Sequence, residues 1–149
     1  MLGLSGLLLA VIAQAQPIEL ISRASTGAQA FQASQAIVSA TGRFVLFLGQ
    51  RNLTDPNDRD CEVWYLRDRQ LGTTELVARR LDGTPANCDI GITGSERLTT
   101  SADVSADGRF VLFDYAATNL VAGVTTRPFI RAYLLDRVQN TIRVVGPGI

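Results

Sequence analysis

The feature of this sequence that most restricts its fold is a twelve-residue pattern that occurs twice. Residues 36–47 read AIVSATGRFVLF and residues 102–113 read ADVSADGRFVLF, so the two copies agree at ten positions with an offset of 66. A Tyr-Leu-x-Asp-Arg block recurs at 65–69 and 133–137, where the offset has grown to 68. Because loops tolerate inserted residues better than regular elements do, the matched blocks are predicted to be the regular elements of a duplicated unit.

Each unit divides into four predicted strands. Gly42 and Gly108 mark a tight hairpin between the first and second strands, since glycine readily adopts the positive φ that such a turn needs. The Phe-Val-Leu-Phe run that follows each glycine is apolar at consecutive positions, which predicts that both faces of the second strand are covered. The predicted strands are 37–39, 43–48, 63–67 and 75–79 in the first unit, and 104–105, 109–114, 131–135 and 142–145 in the second.

Composition excludes several classes of function. The chain has 14 acidic residues and 14 basic ones, all of them arginine, with neither His nor Lys. Without His there is no Ser-His or Cys-His nucleophile pair, and without Lys there is no Schiff base or P-loop lysine. The balanced charge supplies no overall basic field for nucleic acid. We therefore expect a protein that is not an enzyme and carries no cofactor.

The repeat resembles a known family. Residues 105–113 (SADGRFVLF), 117–121 (ATNLV) and 133–136 (YLLD) are similar to the repeat of the TolB-like, or WD40-like, β-propellers, and the first unit matches with Thr41 in place of the usual Asp. The resemblance implies an all-β fold of antiparallel four-stranded β-propeller blades of the six-bladed type. It also implies an exported, non-enzymatic module that contacts another macromolecule in the cell envelope. The alternative is a fragment, or a substrate-gating part, of a larger hydrolase or carbohydrate-active propeller protein.

The number of blades departs from that family. A closed propeller has about four to eight blades, whereas this chain supplies two and an orphan strand at 18–22. The outer flanks of such an incomplete propeller are expected to expose apolar side chains. Self-association, a protein partner or further blades of a longer polypeptide would complete it, and the orphan strand would join a neighbouring chain or the last blade. The expected division is a signal peptide (1–15), orphan strand and linker (16–35), blade 1 (36–80), inter-blade linker (81–101) and blade 2 (102–149).

The N-terminal segment has the features of a secretory signal. Residues 2–12 are mostly apolar, and Ala13 and Ala15 are the small residues that precede a cleavage site before Gln16. The run is shorter than the roughly 20 residues of a membrane-spanning helix, so we expect a secreted or periplasmic protein with no stable membrane anchor. The segment carries no Arg or Lys, so an atypical leader, a start further upstream and a buried N-terminal helix are the alternatives.

Export makes Cys61 and Cys88 candidates for one disulfide. Cys61 precedes a predicted third strand and Cys88 follows the fourth, and antiparallel pairing brings those ends together. Such a bond would stabilise the fold by roughly 3 to 4 kcal/mol in the chain-entropy model. Two cysteines without any His do not supply the four ligands of a structural zinc site.

The most polar loop carries four oxygen-bearing side chains, Asp55, Asn57, Asp58 and Asp60. Calcium binds such oxygens, but Arg59 occupies an alternate ligand position and the loop lacks the glycine of an EF-type site. A solvated turn that is a candidate interaction loop is therefore favoured, and no metal is expected.

Two further patterns are interpreted as structural. The Asp-Arg pairs at 68–69 and 136–137 are predicted to be turns in which Asp caps backbone amides and Arg lies on the surface. Trp64, Tyr65 and Tyr133 are predicted to pack within the blades and keep a polar tip.

Overall fold

The computed structural model describes residues 18–30, 32–50, 53, 62–87, 101–124 and 130–146. They form two antiparallel four-stranded sheets, each with its strands in chain order, and no α-helix occurs within these ranges. Sheet 1 consists of β1 (Ala33–Val38), β2 (Phe44–Gln50), β3 (Glu62–Asp68) and β4 (Thr73–Leu76). Sheet 2 consists of β5 (Ala102–Val104), β6 (Phe110–Tyr115), β7 (Arg131–Asp136) and β8 (Thr141–Val145). The all-β prediction and the eight-strand division are confirmed, with shifts at the strand ends.

The hairpins before β2 and β6 form as the glycines predict. Gly42 and Gly108 both have φ +71°. In the second hairpin, the Gly108 amide donates to the Ser105 carbonyl, and the Phe110 amide donates to Ser105 Oγ at 2.9 Å. The first hairpin repeats these bonds, so a Ser and a Gly three residues apart encode the same turn in both units.

The two sheets share one hydrophobic core. On the first sheet, Leu46 and Leu66 are opposite each other on the face toward sheet 2, and both are buried. Trp64 lies wholly within the core, and its Nε1 donates to the Asp114 carbonyl of sheet 2 at 3.3 Å. The prediction for the aromatic residues is therefore confirmed, since Tyr65 and Tyr133 are also fully buried and donate from their hydroxyls to backbone carbonyls.

Coverage of the two Phe-Val-Leu-Phe runs differs between the sheets. All four residues of the first run are buried, as predicted. In the second run, Phe110 and Leu112 are 37% and 39% exposed, so the prediction that both faces of this strand are covered is wrong. The physical reason is that no described segment packs on that side of sheet 2. This is the exposed apolar flank that an incomplete stack of sheets was expected to have.

The orphan strand at 18–22 does not form. The residues after this segment make a turn with a single bridge between Arg23 and Gln29, and a second bridge of the same kind joins Arg79 and Pro85. The first turn lies against β4 of sheet 1, because Thr74 donates from its amide to Ser25 Oγ at 2.8 Å and from its hydroxyl to the Arg23 carbonyl. The predicted fourth strand at 75–79 likewise ends at Leu76.

Several sequence predictions lie outside the described residues. These are the leader, the Cys61–Cys88 pairing, and the loop that carries Asp55, Asn57, Asp58 and Asp60. Among the residues that are described, none belongs to a helix of the length and hydropathy required to span a membrane.

Candidate functional site: the open face of sheet 2

The contact between the two sheets shows how sheet 2 covers the face of sheet 1 that contains Phe44. The Gly108 hairpin of sheet 2 packs onto the ring of Phe44, which is 4% exposed. A Cβ placed on Gly108 would lie 2.5 Å from that ring, whereas one on Gly42 would meet nothing closer than 3.9 Å. Thr41 Oγ1 also donates to the Ala106 carbonyl of the same hairpin at 2.8 Å. The close approach of the sheets therefore requires a glycine at position 108.

An arginine from sheet 2 completes the contact. Arg137 donates from Nε to Glu75 Oε1 at 2.5 Å and from Nη1 to the Gly108 carbonyl at 2.6 Å. Its guanidinium carbon also lies 5.5 Å from the centre of the Phe44 ring. The arginine thus binds a carboxylate and the face of an aromatic ring on the preceding sheet, and both contacts favour a cation.

The same arrangement occurs one unit earlier. Arg69 donates from Nε to Glu19 Oε2 at 2.9 Å and from Nη1 to the Gly42 carbonyl at 2.8 Å. The prediction that the arginines of the Asp-Arg turns lie on the surface is confirmed for Arg69, which is exposed, whereas Arg137 is half-buried. The sequence interpretation missed the carboxylate partner of each arginine. The available signal was that Glu19-Leu20 and Glu75-Leu76 precede the two similar turns in the sequence.

The aspartates of these turns behave as predicted. Asp68 Oδ1 accepts from the amides of Gln70 and Leu71, at 2.9 and 3.1 Å. Arg43 also donates to both oxygens of Asp68, at 2.7 to 3.1 Å, a contact that the sequence interpretation missed. This charge-assisted pair lowers the pKa of Asp68.

The second sheet contains the equivalent ion pair. Arg109 donates to both oxygens of Asp136 at 2.7 to 3.1 Å, and the guanidinium holds the pKa of Asp136 at about 2. The Arg109 guanidinium carbon lies 4.7 Å from the centre of the Phe110 ring, on the open side of sheet 2. Within the described residues, Phe110 has no counterpart of the arginine that Phe44 receives from the next sheet.

One row of side chains across the four strands differs between the face of sheet 1 that sheet 2 covers and the equivalent, exposed face of sheet 2. On sheet 1 the strand register aligns Ile37, Leu46, Leu66 and Glu75. On sheet 2 the equivalent row is Asp103, Leu112, Leu134 and Arg143.

The row on sheet 2 therefore has the same apolar centre as the row on sheet 1 but different residues at both ends. The apolar Ile37 is replaced by an acid, Asp103, and the acidic Glu75 by a base, Arg143. Asp103, Leu112 and Arg143 are all exposed. We refer to the row Asp103, Leu112, Leu134 and Arg143, with the flanking Phe110 and Val145, as the open face.

The open face contains a shallow pocket. The pocket, of about 300 Å³, lies between Phe110, Leu134 and Arg143. Across the described ranges, no three His, Cys, Asp or Glu side chains come together as metal ligands would. Chemically, this surface offers an apolar centre between an exposed acid and an exposed base, which suits contact with another macromolecule.

Comparison with known proteins adds no assignment. No family model matches the chain, and no curated protein is significantly similar to it.

Proposed function

We propose that this chain is an exported, non-enzymatic module of β-propeller blades, of the TolB-like type, that docks another protein chain through the open face of sheet 2. The proposed location is the periplasm or the exterior of the cell. The observation that supports the docking role is the difference between equivalent positions on the two sheets. Phe44 and Leu46 are 4% and 0% exposed beneath sheet 2, whereas Phe110 and Leu112 are 37% and 39% exposed.

The blade interpretation is supported by the stacking of the sheets. Each sheet has four short antiparallel strands in chain order, and the hairpin and Arg137 of one sheet contact the face of the sheet before it. Repeated sheets that each bury the face of a neighbour are the construction of a propeller. The repeat also accounts for the open face, because none of the described residues forms a further sheet on that side of sheet 2.

An isolated apolar residue on the surface is unremarkable, whereas several on one sheet face form an apolar patch, which supports a docking role. Phe110, Leu112 and Val145 are the three large apolar side chains that the open face exposes, the last at 43%. Burying them against another protein would recover the hydrophobic free energy that sheet 1 gains beneath sheet 2, at about 25 cal/mol per Å² of apolar surface.

The test is site-specific photo-crosslinking in the cells that produce the protein. A photoreactive phenylalanine analogue replaces Leu112, and the matched control replaces Leu71, an exposed leucine in the turn between β3 and β4. We expect one dominant protein adduct from position 112, lost when Arg143 is changed to Glu, and none from position 71. Equal adducts from both positions, or none from either, would contradict the docking role.

A further inference from the structure

We propose that the occupant of the open face is a second copy of this chain, packed face to face about a two-fold axis that runs along the strands. In this dimer Asp103 of each copy lies against Arg143 of the partner copy, and the leucines of the two rows pack between them. The inference rests on the proposed docking function and identifies the partner that the open face fits.

The charges of the open face are complementary to the same face turned over. The row places an acid on β5 and a base on β8, with Leu112 and Leu134 on the strands between them. A two-fold axis parallel to the strands reverses the order of the row, so each acid meets a base. An axis perpendicular to the strands would place Asp103 against Asp103 and Arg143 against Arg143. Both axes keep the strands of the two sheets aligned within about 30°, as sheets packed face to face require, so the charges at the ends of the row select the first arrangement.

Arg143 also disfavours an arrangement in which a second copy stacks on sheet 2 as the next blade would. Arg137 of sheet 2 binds Glu75 of sheet 1, and the counterparts of this pair in a stack of two copies would be Arg69 of one copy and Arg143 of the other. Two arginines would meet where the internal contact pairs an arginine with a glutamate. Arg69 is in addition already bound to Glu19 of its own chain. The change from Glu75 to Arg143 therefore opposes a continued stack and favours the face-to-face pair.

The size of the open face sets the strength of the association. Four strands about 4.8 Å apart, each with two or three side chains on this face, present roughly 400 Å² per copy. The total of roughly 800 Å² is below the standard interface of about 1,600 Å² and in the range of weak, transient complexes. We therefore expect a reversible dimer whose population rises with protein concentration.

Sedimentation equilibrium over a wide range of concentration tests the proposal. Wild-type protein is expected to dimerise, while D103R and R143E each carry two repulsive contacts per dimer and raise the dissociation constant roughly tenfold to a hundredfold. The double variant D103R/R143E exchanges the two charges and is expected to restore the dimer. A mixture of the two single variants is expected to form a heterodimer, because one row then carries two bases and the other two acids.

The matched control is R80E, a charge reversal at an exposed ion pair with Asp82 away from the open face, which leaves the dimer unchanged. Circular dichroism of each variant shows whether it has kept the β-sheet fold. A wild-type monomer at every concentration, or a double variant that stays monomeric while folded, would overturn the dimer. If that monomer still gives an adduct with a different protein from position 112, the docking function survives. If the adduct is absent as well, both proposals fail.

Discussion

Replacing Gly108 by alanine is the perturbation whose cost follows most directly from the contact between the sheets. Gly108 and Gly42 occupy equivalent hairpins and share φ +71°, so alanine at either position incurs the same backbone penalty of about 1 kcal/mol. Only at position 108 does the added methyl group meet a buried ring, since its Cβ would lie 2.5 Å from Phe44. Overpacking of this kind costs roughly 1 to 3 kcal/mol. We therefore expect G42A to lose about 1 kcal/mol and G108A roughly 2 to 4 kcal/mol.

Equilibrium urea unfolding measures both losses, followed by the fluorescence of Trp64. This residue is the single tryptophan of the chain and is bonded to the backbone of sheet 2, so its emission reports on the contact itself. A further variant, F44L, removes the ring that the methyl group meets, and in that background G108A should cost no more than G42A does. If G42A and G108A lose the same free energy in the wild-type background, the reasoning about the sheet contact is refuted.

Three other perturbations have defined outcomes. E75R places a second arginine beside Arg137, and urea unfolding should show a loss of about 1 kcal/mol; unchanged stability would show that the pair contributes nothing. Asp136 has its pKa lowered from 3.8 to about 2 by its arginine, so its stabilising contribution is complete above pH 3.8 and is lost as the pH falls through 2. The stability of D136N, measured as the pH is lowered, should lack that part of the pH dependence. A loss of stability in acid equal to that of the wild type would contradict the prediction. Thiol titration before and after reduction should reveal two thiols only after reduction if Cys61 and Cys88 are bonded, whereas two reactive thiols beforehand would exclude the bond.

The parts of the fold that sequence reasoning predicted are those encoded locally and repeated. Gly42 and Gly108 set the hairpins because only a few backbone conformations close so short a turn. The apolar run at 44–47 is buried on both faces of its strand, as its consecutive apolar residues predict. The start of β1 at Ala33 was missed. The register between β1 and β2 shifts between Ser34 and Ala36, and Gln35 has φ +48°. The polar sequence of this segment contains no signal that predicts such an irregularity.

The remaining differences depend on residues far apart in the chain. Residues 18–22 resemble the segment around β4 in sequence, but a strand also needs a neighbour to receive its backbone hydrogen bonds. The described structure places turn residues beside β4 instead. The arginine contacts join residues 50 and 62 positions apart, Arg69 with Glu19 and Arg137 with Glu75. Phe44 is buried and Phe110 is exposed although the local sequence around them is the same, because among the described residues a sheet packs on Phe44 and none packs on Phe110.

The stacking of sheet 2 on sheet 1 is tested most directly by nuclear Overhauser effects in isotope-labelled protein. The predicted result is strong cross-peaks between the α-protons of Gly108 and the ring protons of Phe44, with an upfield ring-current shift of those α-protons. The equivalent α-protons of Gly42 should show neither effect, since a Cβ there would meet only a distant guanidinium. If Gly108 resembles Gly42 in both respects, the two sheets do not pack as described here, and the open face loses its basis.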